Sequence, residues 1–187
     1  MLTRETKSRM FTISERTHEM MQTINVQFYN ARGVDEAMLN RVVSLLDPPY
    51  CHCEVEFMDN LACAIYWGGK VHMKNRTFNP ANYDCIQLQC PRHDYERALT
   101  LARQKSLEGE VFNLRQMLGS KLSILRANTE GTFCSKLCAE LLVAARLLPV
   151  DANVEQMTPS SLFHRLSSCQ ESAPLSSDVI VALDFAS

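Results

Sequence analysis

The feature that most restricts the fold of this chain is a strict alternation of side chains at residues 51–57. Because successive side chains of a β-strand point to opposite faces, this alternation predicts a strand with one apolar and one polar face. The apolar face would carry Cys51, Cys53, Val55 and Phe57. The polar face would carry His52, Glu54 and Glu56. A histidine and two carboxylates would therefore share one side of the sheet.

The same period-2 pattern predicts further strands at residues 24–29, 61–67, 71–73, 83–90 and 179–183. Helical spacing of apolar residues predicts helices at 35–46, 95–105, 110–118, 131–148 and 158–166. This order of strand, helix, sheet, helices and strand is typical of an α+β fold. We interpret residues 1–23 as an N-terminal arm or loosely attached helix and residues 24–187 as one domain.

The charge balance excludes several kinds of partner. The 187 residues carry 19 Lys and Arg against 21 Asp and Glu, a formal net charge of -2, with no block of like charges. We therefore expect no nucleic-acid surface. Apolar runs are too short to span a bilayer, and the first residues lack the apolar core of a secretory signal. The sequence predicts a cytoplasmic protein with no membrane span, and it does not indicate an oligomeric state.

Eight cysteines are many for this length, but they do not form a recognisable metal or disulfide pattern. No Cys-x-x-Cys pair occurs, and a cytoplasmic domain of this size needs no disulfide scaffold. The adjacent residues Cys51, His52 and Cys53 would point alternately to opposite faces, so they cannot converge on one ion. We expect neither a metal nor a cofactor, and we expect most of the thiols to pack as small apolar groups.

Cys134 is the thiol with the best placement for chemistry. It follows Thr132, the expected cap, in the first turn of the predicted helix at 131–148. The helix dipole and the free first-turn N–H groups favour a thiolate there, and they can also bind an oxyanion. Cys138 would lie one turn deeper, in the core. A buried structural thiol is the other interpretation of Cys134.

His52 is the candidate general base, with Glu54 two residues further on the same face to orient the imidazole. His72 lies near the predicted sheet and is an alternative third residue. A surface histidine on an amphipathic strand would show the same pattern.

Four segments resemble the circularly permuted papain-fold proteins of the NlpC/P60 superfamily, which occur in bacteria and large DNA viruses. Residues 45–57, LLDPPYCHCEVEF, resemble the histidine-bearing segment. GGKV at 68–71 with RTF at 76–78 resembles the part that follows. TFCSKLCAELL at 132–142 resembles the cysteine helix, and TPSSLF at 158–163 resembles the downstream Pro-Ser-x-Leu element. The histidine precedes the cysteine, as the permuted branch requires.

The resemblance implies a permuted papain-like fold and a thiol hydrolase of the peptidase or amidase class. Cys134 would be the nucleophile and His52 the base, with Glu54, or alternatively His72, as the third member. The target would be an amide, isopeptide or ester bond in a peptide, protein or lipid. A viral member would act in the host cytoplasm or the virion. Two alternatives stay open: a catalytically inactive binding or virion-associated protein, and a redox protein that uses Cys134 with Cys138.

Overall fold

The computed structural model describes residues 20–30, 48–119 and 131–172. The predicted helix at 35–46, the predicted last strand at 179–183 and residues 1–19 of the predicted arm lie outside these ranges.

Five strands form one antiparallel sheet in the order β4-β3-β2-β1-β5. They are β1 Met21–Asn30, β2 Tyr50–Phe57, β3 Leu61–Ala64, β4 His72–Asn75 and β5 Tyr83–Pro91. The strand predicted at 51–57 is thus β2, at the centre of the sheet. β1 begins at Met21, three residues before the predicted start, because its pairing with β5 extends to Met21 and Pro91.

Four α-helices lie in the described ranges. They are α1 Arg92–Glu108, α2 Leu114–Gly119, α3 Cys134–Ala144 and α4 Pro159–Ser172. The fold is therefore α+β, as the order of the sequence patterns predicts. α3 ends four residues before the predicted end at 148, since Arg146 adopts a positive φ of 55° that a continuing helix does not allow. No helix of the described ranges is long and apolar enough to cross a membrane.

The prediction that Thr132 caps α3 is wrong. The N-cap position belongs to Phe133, whose backbone is extended, and no side chain caps the helix there. Thr132 lies one residue too early, and its backbone is held by Val111 and Asn113. Cys134 is consequently the first residue of the helix, one position closer to its N-terminus than a Thr132 cap would place it.

The core lies between α1, α3 and the apolar face of the sheet. Cys53, Val55 and Leu137 are among its fully enclosed members. The opposite face of β2 is not open to water either, because Glu54 is 0% exposed and Glu56 is 7% exposed. Glu56 accepts hydrogen bonds from the side-chain amides of Asn25 and Gln27. A buried carboxylate needs such partners, and Glu54 finds its own partners at the candidate active site.

Candidate active site

The site lies where β3 separates from β2. β3 pairs with β2 only from Val55 to Phe57, so the edge of β2 before Val55 has no β3 partner in the described residues. The N-terminus of α3 occupies this position, and the backbone N–H of Cys53 donates a hydrogen bond to the sulfur of Cys134. A thiol at a strand edge can contact side chains from both faces of the sheet. This explains how Cys134 reaches the side chains of both His52 and Cys53.

Cys134 is buried, with 5% of its surface exposed. A hydrogen bond from the Cys53 thiol lowers the pKa of Cys134, burial opposes this effect, and the contact with His52 lowers it further, so the pKa lies well below the usual thiol value. Burial and the contacts with Cys134 and Cys138 raise the pKa of Cys53, which therefore stays protonated and remains a donor. Of these two thiols, the environment favours the thiolate at Cys134.

His52 is the cation that faces this thiolate. Burial lowers the pKa of His52, but the contacts with Cys134 and with the Glu54 carboxylate outweigh burial and raise it to about 10. Its Nε2 lies 3.3 Å from Oε1 of Glu54, an ion pair whose N–H···O alignment falls outside ordinary hydrogen-bond geometry. The His52 side chain is 13% exposed and therefore reaches the surface, whereas the side chain of Glu54 is fully enclosed.

Three groups converge on one carboxylate oxygen of Glu54: one ion-pair partner and two hydrogen-bond donors. Besides His52, Oε1 accepts a hydrogen bond of 2.8 Å from the Tyr66 hydroxyl and another from the guanidinium of Arg76. Burial raises the pKa of Glu54, but His52 and then Arg76 reverse this and leave it lowered. Arg76 is itself held by the Tyr83 hydroxyl at 3.2 Å. The carboxylate is therefore charged and fixed in orientation beside the imidazole.

Tyr66 connects this group to the edge strand β4. Its ring stacks on His52 at 4.9 Å and on His72 at 5.3 Å between centroids. The partners of His72 are the ring of Tyr66 and the carbonyl oxygen of Lys70, which lies 3.1 Å from Nδ1. Glu54, by contrast, lies directly beside His52. Of the two candidates for the third residue, Glu54 has the contact that orientation requires.

Three contact residues were not predicted as parts of the site: Cys53, Tyr66 and Arg76. Cys53 was assigned to the core because alternation places it opposite His52, and Arg76 appeared only within a motif. Tyr66 falls within the strand predicted at 61–67, but β3 ends at Ala64, two residues before it. Their roles depend on the separation of β3 from β2, which local sequence patterns do not report.

The remaining thiols are arranged as core and surface groups. Cys138 lies one turn below Cys134 and is 0% exposed, as predicted, while Cys85 and Cys169 are exposed. All eight cysteines are free. Within residues 20–30, 48–119 and 131–172, no group of three or more His, Cys, Asp or Glu is arranged to hold a metal ion.

Fold and site together define an α+β protein with a buried thiol, imidazole and carboxylate in contact. No protein-family model, no curated protein and no solved structure matches this chain. The geometry of the site and the sequence motifs are therefore the grounds on which a function is proposed below.

Proposed function

We propose that this protein is a cysteine hydrolase with a permuted papain-like fold, in which Cys134 is the nucleophile, His52 the general base and acid, and Glu54 the orienting carboxylate. The observation that carries the proposal is the contact of Cys134, at the first position of α3, with an imidazole that is paired with a buried carboxylate. A nucleophile, a base and a residue that orients the base are the parts that thiol hydrolysis needs. The order of the four sequence motifs supports the same fold.

In the proposed reaction, the Cys134 thiolate attacks the carbonyl carbon of an amide, isopeptide or ester. The first-turn N–H groups of α3, which no side chain caps, are the natural donors to the oxyanion. The His52 imidazolium then donates its proton to the leaving nitrogen or oxygen, and the carbon–leaving group bond breaks. Water, deprotonated by His52, attacks the acyl-thioester, and the thiolate and imidazolium are restored.

The test is a comparison of alkylation rates within one molecule. At pH 6 an ordinary thiol is only roughly 0.3% ionised. Exposed Cys169 therefore serves as the internal reference, and exposed Cys85, whose pKa is raised by burial and by Glu56, serves as a second, slower one. We expect iodoacetamide to label Cys134 at least about tenfold faster than either reference, although Cys134 is the buried one. Peptide mass spectrometry over time gives all three rates.

Two variants separate activation from accessibility. His52→Asn removes the cation and leaves the access path, so it should bring the Cys134 rate below the rates of the exposed thiols. Cys134→Ser should abolish the fast label and leave the two references unchanged. If Cys134 in the unaltered protein reacts no faster than Cys169, the hydrolase proposal is wrong, and a catalytically inactive protein of this fold is the better interpretation.

A further inference from the structure

Three enclosed cysteines are in contact in the core beneath the candidate active site. Cys53 lies on the apolar face of β2, and Cys134 and Cys138 come from α3, which packs on that strand. The thiol of Cys53 is hydrogen-bonded to both Cys134 and Cys138. Cys53 is therefore the central thiol of the three. The reaction proposed above uses only Cys134, so it assigns no chemistry to the neighbouring thiols.

Cys53 contacts the nucleophile twice. Its backbone N–H and its thiol both donate hydrogen bonds to the sulfur of Cys134. The two sulfurs are therefore direct neighbours, one held by the central strand β2 and the other by the first turn of α3. A bond between them requires a closer approach of two atoms that are already in contact, and it requires no rearrangement of α3 on the sheet.

Cys138 is a poorer partner for Cys134, although both belong to α3. Side chains at positions i and i+4 of a helix have Cβ atoms about 5–6 Å apart. A disulfide holds its Cβ atoms about 3.5–4.5 Å apart. Because both residues lie in the continuous helix Cys134–Ala144, the backbone keeps them at the larger separation. Of the two neighbouring thiols, Cys53 has the contact that a disulfide with Cys134 needs.

Cys134 has the properties of a thiol that hydroperoxides oxidise. The thiolate is the form that attacks a peroxide, and the contacts described above favour the thiolate at Cys134. The His52 side chain beside it is 13% exposed and connects the site to the surface. Hydrogen peroxide is only slightly larger than water, so this access is wide enough for it.

We propose that Cys134 and Cys53 form a peroxide-sensitive thiol pair, in which Cys134 is oxidised to the sulfenic acid and Cys53 converts it to a Cys53–Cys134 disulfide. First, the Cys134 sulfur attacks one oxygen of the hydroperoxide, the O–O bond breaks, and the leaving oxygen takes the proton of the His52 imidazolium. The Cys53 sulfur then attacks the Cys134 sulfur, the S–O bond breaks, and the hydroxyl leaves as water with the Cys53 proton. A dithiol reductant restores both thiols.

This disulfide would block the nucleophile reversibly. It would also prevent further oxidation of Cys134 to the sulfinic acid, which thiols do not reverse. The inference goes beyond the hydrolase proposal, since it needs the Cys134 thiolate but no hydrolysis.

The first oxidation step favours the second. Burial, and then the contacts with Cys134 and Cys138, raise the pKa of Cys53. A sulfenic acid carries no charge at Cys134, so its formation removes a negative charge that opposes ionisation of Cys53. Cys53 is therefore held as a thiol in the reduced protein, and its thiolate forms more easily once Cys134 has been oxidised.

Peptide mass spectrometry of the unaltered protein tests the pair directly. The reduced protein is treated with hydrogen peroxide, the remaining thiols are blocked with N-ethylmaleimide, and the unreduced peptides are mapped. We expect a Cys53–Cys134 bridge as the main oxidised form of Cys134, while exposed Cys169 remains a thiol. Dithiothreitol should then restore at least about nine-tenths of the fast iodoacetamide labelling of Cys134.

Cys53→Ser and Cys138→Ser are a matched pair of variants, because both positions are 0% exposed and the two thiols contact each other. In Cys53→Ser, dimedone should trap the sulfenic acid at Cys134. Without dimedone the sulfinic acid should form, and dithiothreitol should restore at most about a tenth of the labelling. Cys138→Ser should keep the bridge and its full recovery. Circular dichroism checks that both variants fold, and the mapping of the unaltered protein is decisive without them.

Three results in the unaltered protein would overturn the pair: sulfinic acid at Cys134 without a bridge, a bridge that contains Cys138, or oxidation of Cys169 before Cys134. If Cys134 still reacts fast with iodoacetamide, each of these results leaves the hydrolase proposal in place. Conversely, a Cys53–Cys134 bridge in a protein whose Cys134 reacts with iodoacetamide no faster than Cys169 would support the pair and remove the hydrolase.

Discussion

Single residues decide the protonation of the site. The pKa of His52 is raised from 6.5 to about 10, so its protonated form stabilises the fold fully below pH 6.5. This contribution decreases as pH rises and is lost above about pH 10. The pKa of Cys134 is lowered, so its thiolate contributes fully above the ordinary thiol pKa and is lost as pH falls through the lowered value. The charged pair therefore exists between the lowered thiol pKa and about pH 10.

Glu54→Gln should lower the pKa of His52 by about one unit or more, because it removes the carboxylate that lies 3.3 Å from Nε2. The titration of the His52 Cε1 proton by nuclear magnetic resonance between pH 5 and 11 measures this directly. The His52→Asn protein assigns the signal.

Glu56→Gln is the control for this titration. Glu56 is buried on the same face of β2 but is bonded to Asn25 and Gln27. The pKa of His52 should not change in this variant. An unchanged His52 titration in Glu54→Gln would show that Glu54 does not stabilise the imidazolium, and the assignment of the third residue would then be wrong.

At the scale of elements, the two helices that begin near β2 have opposite kinds of N-terminus. α3 begins without a side-chain cap, so its first N–H groups stay available beside Cys134. The N-terminus of α4 has a reciprocal cap. The Ser161 N–H donates to the Thr158 hydroxyl at 3.1 Å, and the Thr158 N–H donates to the Ser161 hydroxyl at 2.8 Å. Capping stabilises a helix, whereas an uncapped N-terminus can bind an anion.

Thr158→Ala should lower the free energy of unfolding by about 1 kcal/mol, since it removes the acceptor at the start of α4. Urea denaturation followed by circular dichroism measures the change. Thr100→Ala, an exposed position within α1, is the matched control. There the same substitution should leave stability unchanged or raise it slightly, because alanine has the higher helix propensity. A loss of equal size at Thr100 would contradict the capping argument.

For the whole molecule, a single core holds the site in place. α3 packs on β2, and its apolar side chains meet those of the sheet and α1. Ser160 of α4 also accepts a hydrogen bond of 3.3 Å from the backbone N–H of Tyr50, the first residue of β2. The positions of Cys134 and His52 relative to each other thus depend on packing between elements that are distant in sequence.

Leu137→Ala should destabilise the protein by about 2–5 kcal/mol, because Leu137 is 0% exposed in this core. Leu107→Ala, at a position 88% exposed at the end of α1, should change stability by less than about 0.5 kcal/mol. Urea denaturation of both variants provides the comparison. A cost below about 1 kcal/mol at Leu137 would mean that α3 is not held by this core.

Local patterns in the sequence are enough to predict several elements. Alternation predicted the strands that became β1, β2 and β5, and the Thr158-Pro159 pair predicted the start of α4. These signals are local, because side-chain alternation and capping depend on residues only a few positions apart. For the same reason the sequence placed His52 and Glu54 on one face of β2, and it placed Cys134 in the first turn of a helix.

The tertiary structure alone decided the contacts that make a site of these residues. Cys134 can lie at the edge of β2 because β3 pairs with β2 only from Val55 to Phe57. At this edge it contacts both His52 and Cys53. Only the folding of Tyr66 and Arg76 onto Glu54 makes its burial tolerable. Such contacts join residues between 12 and 80 or more positions apart, and their energies depend on burial and charge pairing, which no local period encodes.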